Sequence, residues 1–129
     1  MKKLLLILIC LFVSFEGKSE TIYEPEPDDL SGKKLVCESE LSVTGFNFLD
    51  NTQVKTTNIS KKDGNSFFYI VEYKTTPDEI VIDVISVIDR YTLRTWNGNE
   101  CKLIEGNFDS YMDDRLEIIL NEIKSKRKI

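Results

Sequence analysis

The sequence predicts a mainly β fold of the α+β class: an antiparallel meander of about seven short strands, curled or barrel-like, with one C-terminal amphipathic helix packed on it. Apolar and polar residues alternate with period two through much of residues 34–105. Turn-forming residues interrupt this pattern about every ten residues. After residue 106 the apolar spacing becomes helical. These observations predict a single domain over residues 33–129, with strands at roughly 34–105 and a helix at roughly 110–126.

The chain begins with two lysines and an apolar run that reaches Phe15. This pattern predicts a secretory signal peptide over residues 1–19, with cleavage after Ser19 and Gly17 as the second choice for the cut. An uncleaved anchor and lipidation at Cys10 are the alternatives. We therefore expect an exported protein, periplasmic or extracellular, soluble after cleavage and in contact with a membrane only through this segment if it is retained.

Residues 20–32, ETIYEPEPDDLSG, contain two prolines and five acidic residues. Proline and like charge both oppose strand pairing, so a flexible acidic lead-in is predicted here. The predicted strands that follow are KLVCESE, VTGFNFL, QVKTTNI, SFFYIVEYK, IVIDVISV, RYTLRTW and ECKLI. Turns are predicted at Asp50–Asn51, KKDGN, TTPDE and NGN.

Strand alternation in RYTLRTW predicts a candidate contact surface. One face would carry Arg90, Thr92, Arg94 and Trp96, while Tyr91 and Leu93 would face the core. The alternative is a solvated strand face with an Arg94–Trp96 cation–π contact.

The C-terminal segment places six apolar residues on one helical stripe: Phe108, Met112, Leu116, Ile119, Leu120 and Ile123. Ser110, followed three residues later by Asp113, indicates an N-cap. The basic residues near the end suit the negative pole of the helix dipole. We expect this stripe to pack across the meander or to plug an open end of it.

With Cys10 assigned to the signal segment, two cysteines remain, Cys37 and Cys101. An even number in an exported chain predicts a structural disulfide between them. Two free thiols or a redox pair are the alternatives, although no C-x-x-C spacing is present.

Charge and composition exclude several classes of function. Removing residues 1–19 leaves 14 basic and 21 acidic residues, and this net negative charge argues against nucleic acid as a partner. The chain has no histidine, which removes histidine-dependent catalysis and imidazole metal ligands. With both cysteines bridged we predict no cofactor and no metal. A carboxylate pair drawn from Glu72, Asp83 and Asp89 is the chemistry left open, but no catalytic motif is present and we predict no enzyme.

Aromatic residues concentrate in two of the predicted strands: Phe46, Phe48, Phe67, Tyr69 and Tyr73. They either fill a core or line a cavity. The leading hypothesis is an exported non-enzymatic domain that acts through its surface on an unknown protein. The alternative is a carrier that holds a small apolar ligand inside the sheet.

The segment IDRYTL, Ile88–Leu93, followed by Cys101, resembles small exported bacterial proteins with no assigned function. Its T-L strand start after a polar turn is also similar to lipocalin-like small barrels, and this resemblance would make the carrier lipocalin-like, although LSGKKL lacks the G-x-W opening of true lipocalins. The resemblance implies a compartment and an architecture, and it carries over no catalytic residue.

Overall fold

The computed structural model describes residues 28–83 and 86–128. Among them the chain forms seven strands and one helix, and this confirms the mainly β prediction. The elements are β1 (Lys34–Glu38), β2 (Ser42–Phe48), β3 (Gln53–Ser60), β4 (Ser66–Thr75), β5 (Glu79–Ile82), β6 (Ser86–Asp89), β7 (Glu100–Leu103) and α1 (Phe108–Lys126). The predicted signal peptide and residues 20–27 of the predicted lead-in lie outside the described residues.

The strands form a single antiparallel sheet in the order β6-β5-β4-β3-β2-β1-β7. The sheet curls into a half-barrel, so that its edge strands approach the same short segment. Thr95 bridges to Ile88 in β6, and Arg94 bridges to Glu100 in β7. The two edges of the sheet are therefore linked through residues 94–95.

The inner face of the sheet is lined by a hydrophobic core that includes side chains from β1 to β6. The core residues are Leu35, Cys37, Phe46, Phe48, Val54, Tyr73, Ile80, Ile82 and Ile88. They follow the period-two pattern that the sequence shows, because alternate side chains of a strand point to the same face. Of the five aromatic residues proposed for a core or cavity, this core contains Phe46, Phe48 and Tyr73.

Helix α1 packs across the opposite, outer face of the sheet. Its Phe108, Met112 and Ile119 form a second core with Val36 and Val43 of β1 and β2, joined by Ile59 of β3. Gly45 pairs regularly with Val36 and Thr57 and forms no bulge. A Cβ at this position would lie 2.6 Å from Met112 Sδ, so the helix approaches the sheet where a side chain is missing.

The helix begins earlier than predicted. Its N-cap is Asn107, whose Oδ1 accepts a hydrogen bond of 2.9 Å from Ser110 N. The prediction that Ser110 is the N-cap is wrong, because Ser110 donates its backbone N–H to the side chain of Asn107. Sequence favours both residues as caps, and the position of Phe108 in the outer core selects the earlier start.

The predicted strands between residues 80 and 96 differ from the observed ones. IVIDVISV contributes to two strands, β5 and β6, which pair antiparallel with each other. RYTLRTW contains no strand among its residues and instead turns before the bridges at Arg94 and Thr95.

The end of the predicted flexible lead-in is attached to the domain. Leu30 packs against the inner core, and its N–H donates to Tyr73 Oη at 3.1 Å. Asp28 N donates to Thr75 Oγ1 at 2.8 Å. Residues 28–32 therefore belong to the folded domain.

Candidate functional site

The predicted row of Arg90, Thr92, Arg94 and Trp96 does not form. Asp89 Oδ1 accepts the backbone N–H groups of Tyr91 at 2.8 Å and Thr92 at 2.9 Å, and this turns the chain. Leu93 then adopts a left-handed conformation with φ 54° and packs against the inner core. Tyr91, predicted to face the core, is 78% exposed. A local turn has replaced the strand on which the row depended.

Both arginines of this predicted row form ion pairs. Arg90 Nη2 lies 2.6 Å from Asp28 Oδ2, and its Nη1 donates to Thr76 O at 2.8 Å. Arg94 Nη2 lies 2.7 Å from Glu100 Oε1. These partly exposed pairs each contribute about 0–1 kcal/mol. The arginines thus fasten neighbouring segments rather than present a common charged surface.

The Asp89 carboxylate has a structural role that argues against acid catalysis. Its hydrogen bonds from the backbone N–H groups of Thr92 and Tyr91 lower its pKa below the usual aspartate value. An aspartate that stays ionised in this way cannot act as a general acid near neutral pH.

The five aromatic residues proposed for the core or cavity separate into two groups. Phe46, Phe48 and Tyr73 are buried in the inner core, where the rings of Phe48 and Tyr73 meet edge to face at 4.8 Å. Burial raises the pKa of Tyr73, whose hydroxyl donates to Asp50 O at 2.7 Å. Phe67 and Tyr69 are exposed on β4 with their rings stacked at 6.0 Å. Of the two alternatives left open by the sequence, three of these residues therefore fill a core, while Phe67 and Tyr69 lie on the surface.

The disulfide prediction is confirmed: Cys37 and Cys101 are bonded between β1 and β7. They are directly opposed in the register of the two strands, with a sequence separation of 64. Closing a loop of this length stabilises the fold by about 4 kcal/mol in the chain-entropy account. The bridge fastens the last strand to the first.

Cys37 also lines a cleft of about 280 Å³, which we call the Trp96 cleft. Its lining residues are Cys37, Ser39, Ser42, Thr44, Phe46, Ser86, Thr95, Trp96, Asn97 and Asn99. Cys37 and Phe46 belong to the inner core, while the other side chains come from the β1–β2 hairpin, β2, the start of β6 and the loop before β7. The fold thus brings the disulfide, one predicted cavity residue and one predicted surface residue to the same place.

Backbone hydrogen bonds position the loop that carries Trp96. Trp96 N donates to Val87 O at 3.0 Å, and Asn99 N donates to Thr95 Oγ1 at 3.0 Å. Gly98 has φ 89°, which allows the tight turn between them. The indole is 75% exposed although its backbone is attached to the sheet. An aromatic surface is therefore held at the edge of the cleft.

The side-chain polar groups of the cleft are neutral. None of its described lining residues is acidic or basic. Thr44 Oγ1 donates to Asn58 Oδ1 at 3.3 Å, whereas the side chains of Ser86 and Asn99 form no hydrogen bond with another described residue. Hydroxyl and amide groups of this kind can both donate and accept hydrogen bonds. The polar groups of the cleft therefore suit hydrogen bonds to a neutral molecule.

A wider groove of about 710 Å³ lies beside α1, where ion pairs occupy most of its charged groups. Glu38 pairs with Lys61 at 3.3 Å and also with Arg115, and Arg94 pairs with Glu100. A charged ligand would have to break these pairs. The groove is the larger of the two, but its chemistry is that of a solvated, salt-bridged surface.

Comparisons of the chain with protein-family models, with curated proteins and with solved structures found no match. The resemblance to small exported bacterial proteins stays a prediction. Within the described residues, no group of three or more His, Cys, Asp or Glu side chains could hold a metal ion. The same part of the chain contains no helix that is both long and apolar enough to cross a membrane.

Sequence reasoning missed most of the Trp96 cleft because its members are far apart in the chain. Ser39, Ser42 and Ser86 carry no motif. The Asn97–Asn99 turn comes beside the β1–β2 hairpin and β6 through the pairing of β1 with β7 and the bridge from Ile88 to Thr95. The one local signal was an exposed aromatic residue next to the NGN turn. Alternation placed Trp96 outward correctly, although on a strand that does not exist.

Proposed function

We propose that the chain is an exported, non-enzymatic binding domain whose Trp96 cleft holds a neutral sugar. The observation that carries the proposal is the composition of the cleft: an exposed indole, neutral hydroxyl and amide side chains, and no described charged residue. The surface action expected from the sequence is thereby assigned to one place on the molecule.

The two kinds of side chain suit the two kinds of surface on a sugar ring. The C–H face of a pyranose is apolar and packs on an aromatic ring such as Trp96. The hydroxyl groups around the ring require donors and acceptors, which Ser86 and Asn99 can supply. A purely apolar ligand would leave these polar groups desolvated and unpaired, at a cost in free energy.

The absence of charge among the described lining residues favours a neutral ligand. A carboxylate or an amine brought into the cleft would lose hydration without gaining an ion-pair partner there. The volume of about 280 Å³ is at the lower limit of ligand pockets, about 300 Å³. We therefore expect one sugar ring to be held, with the remainder of a larger glycan in solvent.

The lipocalin-like carrier is the less favoured function. Phe46, Phe48 and Tyr73, which would have to surround its ligand, pack in the core of the half-barrel. The described interior is accordingly occupied where an apolar ligand would sit. A pocket of about 150 Å³ with a mainly apolar lining lies beside Leu35, Phe48 and Leu103, and it is smaller than usual ligand pockets. The larger Trp96 cleft, at one end of the sheet, is lined mainly by polar side chains.

The single tryptophan makes a direct experiment possible, because all indole fluorescence of the chain comes from Trp96. Glucose, galactose, mannose and N-acetylglucosamine are titrated while the emission is recorded. At least one should give a saturable change with a dissociation constant on the order of 1 mM, as expected for a small ligand with few contacts. Glucuronate and glucosamine, which carry charge, should bind more weakly.

Trp96→Ala is the test variant and Tyr91→Ala its matched control. Both rings are more than 70% exposed, so neither truncation removes a buried side chain. Tyr91 is not among the described residues that line the cleft. Binding measured by NMR shift changes should be lost in Trp96→Ala and kept in Tyr91→Ala. Unsaturable fluorescence with every neutral sugar, or equal binding by Trp96→Ala, would refute the proposal.

A further inference from the structure

Residues 66–71 form the half of β4 that extends past β5. On one side this segment pairs with β3. On the other side, the described strand β5 pairs only with Tyr73, Lys74 and Thr75. Four consecutive large apolar side chains are exposed here: Phe67, Phe68, Tyr69 and Ile70. We call residues 66–71 the β4 edge segment.

The register with β3 shows which backbone groups face away from β3. Ser60 N donates to Asn65 O and Tyr73 N donates to Thr52 O, both at 2.9 Å. Hydrogen-bonded and non-hydrogen-bonded pairs alternate along an antiparallel ladder. Phe67 and Tyr69 therefore direct their backbone groups to β3, whereas Phe68 directs its own to the other side.

The backbone groups of the even-numbered neighbours of Phe68 point in the same direction as those of Phe68. Ser66 and Ile70 also direct their N–H and C=O groups away from β3. Glu72 confirms the direction, because its C=O accepts from Asp83 N at 3.1 Å on that side. An added strand could thus pair with Ser66, Phe68 and Ile70.

The usual protection of a strand edge is missing from the β4 edge segment. Natural edges carry charged residues, proline or bulges that prevent pairing with another chain. Residues 66–71, SFFYIV, contain neither charge nor proline and pair with β3 in unbroken register. An apolar, regular edge of this kind is a template for strand addition.

We infer that the β4 edge segment pairs antiparallel with the same segment of a second copy of this chain. The occupant must be extended, must present unpaired N–H and C=O groups, and must carry apolar side chains toward both faces without charge. The β4 edge segment itself meets every one of these requirements. Residues 20–27, ETIYEPEP, do not meet these requirements, because their prolines and acidic residues oppose pairing on an apolar edge.

Two conditions select one register for the pairing of the two copies about a two-fold axis: the direction of the backbone groups and the length of the β4 edge segment. Residues of equal parity must face each other, because only even-numbered residues direct hydrogen-bonding groups outward. Centring the pair on Tyr69 would set Ser66 against Glu72 of the other copy, where Asp83 already bonds. Centring it on Phe68 uses only residues 66–70. Phe68 then faces its own counterpart, Ser66 faces Ile70, and Phe67 faces Tyr69.

This register is free of like-charge contacts within the paired residues, since none of residues 66–70 is charged. It also sets aromatic Phe67 against Tyr69 across the axis, a kind of cross-strand pair that stabilises sheets. The contact is isologous and closes on itself, which limits assembly to a dimer.

Substituting Phe68 tests the dimer sharply because the residue lies on the axis. Phe68 is 63% exposed, and Lys55 Nζ lies 4.5 Å from the centre of its ring. Phe68→Glu therefore gains an ion-pair partner within the single chain and Phe68→Lys a like charge, so weakening of the dimer by both variants cannot come from Lys55 alone. Purified wild-type protein should dimerise in analytical ultracentrifugation. Phe68→Lys and Phe68→Glu should each weaken self-association by about tenfold or more, since like charges then meet at the axis. Mixing the two variants should restore association as a one-to-one heterodimer.

Leu41→Lys is the matched control, because Leu41 is an exposed apolar residue away from β4. It should leave the association constant unchanged. A wild-type chain that stays monomeric as its concentration is raised would overturn the inference, as would equal weakening by Leu41→Lys. Failure of the charge-swapped mixture to reassociate would exclude the register centred on Phe68.

Discussion

At the scale of single residues, Gly45 determines how closely the helix can approach the sheet. A Cβ there would lie 2.6 Å from Met112 Sδ and 2.7 Å from Phe108 Cζ. We predict that Gly45→Ala lowers the free energy of unfolding by about 1–3 kcal/mol, because the outer core must move to admit a methyl group. Urea unfolding measures the change.

Gly32→Ala separates this packing effect from backbone strain. Gly32 has φ 82° and no heavy atom within 4 Å of an added Cβ, so its cost of about 1 kcal/mol is conformational. The Met112 methyl resonance should shift in Gly45→Ala and stay in place in Gly32→Ala. Equal stability of Gly45→Ala and the wild type would contradict the packing account.

A second residue-scale prediction concerns acid. Asp50 Oδ1 accepts the backbone N–H groups of Thr52 at 2.8 Å and Gln53 at 2.7 Å, and these bonds lower the pKa of Asp50. A lowered pKa in the folded state gives stability that is present above the unfolded pKa of about 4 and is lost as the pH falls through the folded value.

Asp50→Asn keeps the acceptor oxygen but removes the titration. We predict that the wild type is the more stable of the two at pH 7 and that the difference shrinks as the pH falls below about 4. Unfolding in urea at pH values from 7 to 3 measures it. A difference that is constant over this range would show that the Asp50 charge has no part in the turn.

At the scale of elements, the start of α1 gives a clean comparison between two cap candidates. Asn107 Oδ1 accepts a hydrogen bond from Ser110 N, and α1 begins at Phe108. Asn107→Ala should therefore destabilise the protein by about 1 kcal/mol through loss of the N-cap. Ser110→Ala keeps the backbone donor and should change the free energy of unfolding by less than about 0.5 kcal/mol. Thermal unfolding of both variants tests the assignment. A larger loss of stability in Ser110→Ala than in Asn107→Ala would show that Ser110 is the N-cap.

The elements also show how much of the fold and of the site could be predicted from sequence. Alternation and turn residues found β1 to β4, and helical spacing found α1, because each element places apolar side chains against a core. In β4 these are Val71 and Tyr73 alone. They failed at residues 90–96, where the Asp89 carboxylate captures two backbone N–H groups and turns the chain. The alternation of apolar and polar residues reflects the burial of side chains, and it gives no information about a carboxylate that accepts hydrogen bonds from the backbone. The Trp96 cleft was out of reach for a different reason, since its parts meet only through long-range strand pairing.

At the scale of the whole molecule, the two proposals combine into a test of avidity. A dimer formed through β4 would carry two Trp96 clefts, so binding to a surface with many sugars could engage both. Linked sites of this kind raise the overall affinity by about 10²–10⁴ without any new contact to the ligand. Phe68 is not among the described lining residues of the cleft, and its substitution should leave the cleft unchanged.

We predict that Phe68→Lys binds a soluble sugar as the wild type does, but leaves a surface coated densely with that sugar about a hundredfold faster. Tryptophan fluorescence gives the first affinity, and biolayer interferometry gives the dissociation rate. Trp96→Ala should lose both kinds of binding while still dimerising. If Phe68→Lys and the wild type dissociate from the coated surface at the same rate, the two clefts do not act together. Loss of soluble binding in Phe68→Lys would instead place Phe68 within the sugar site.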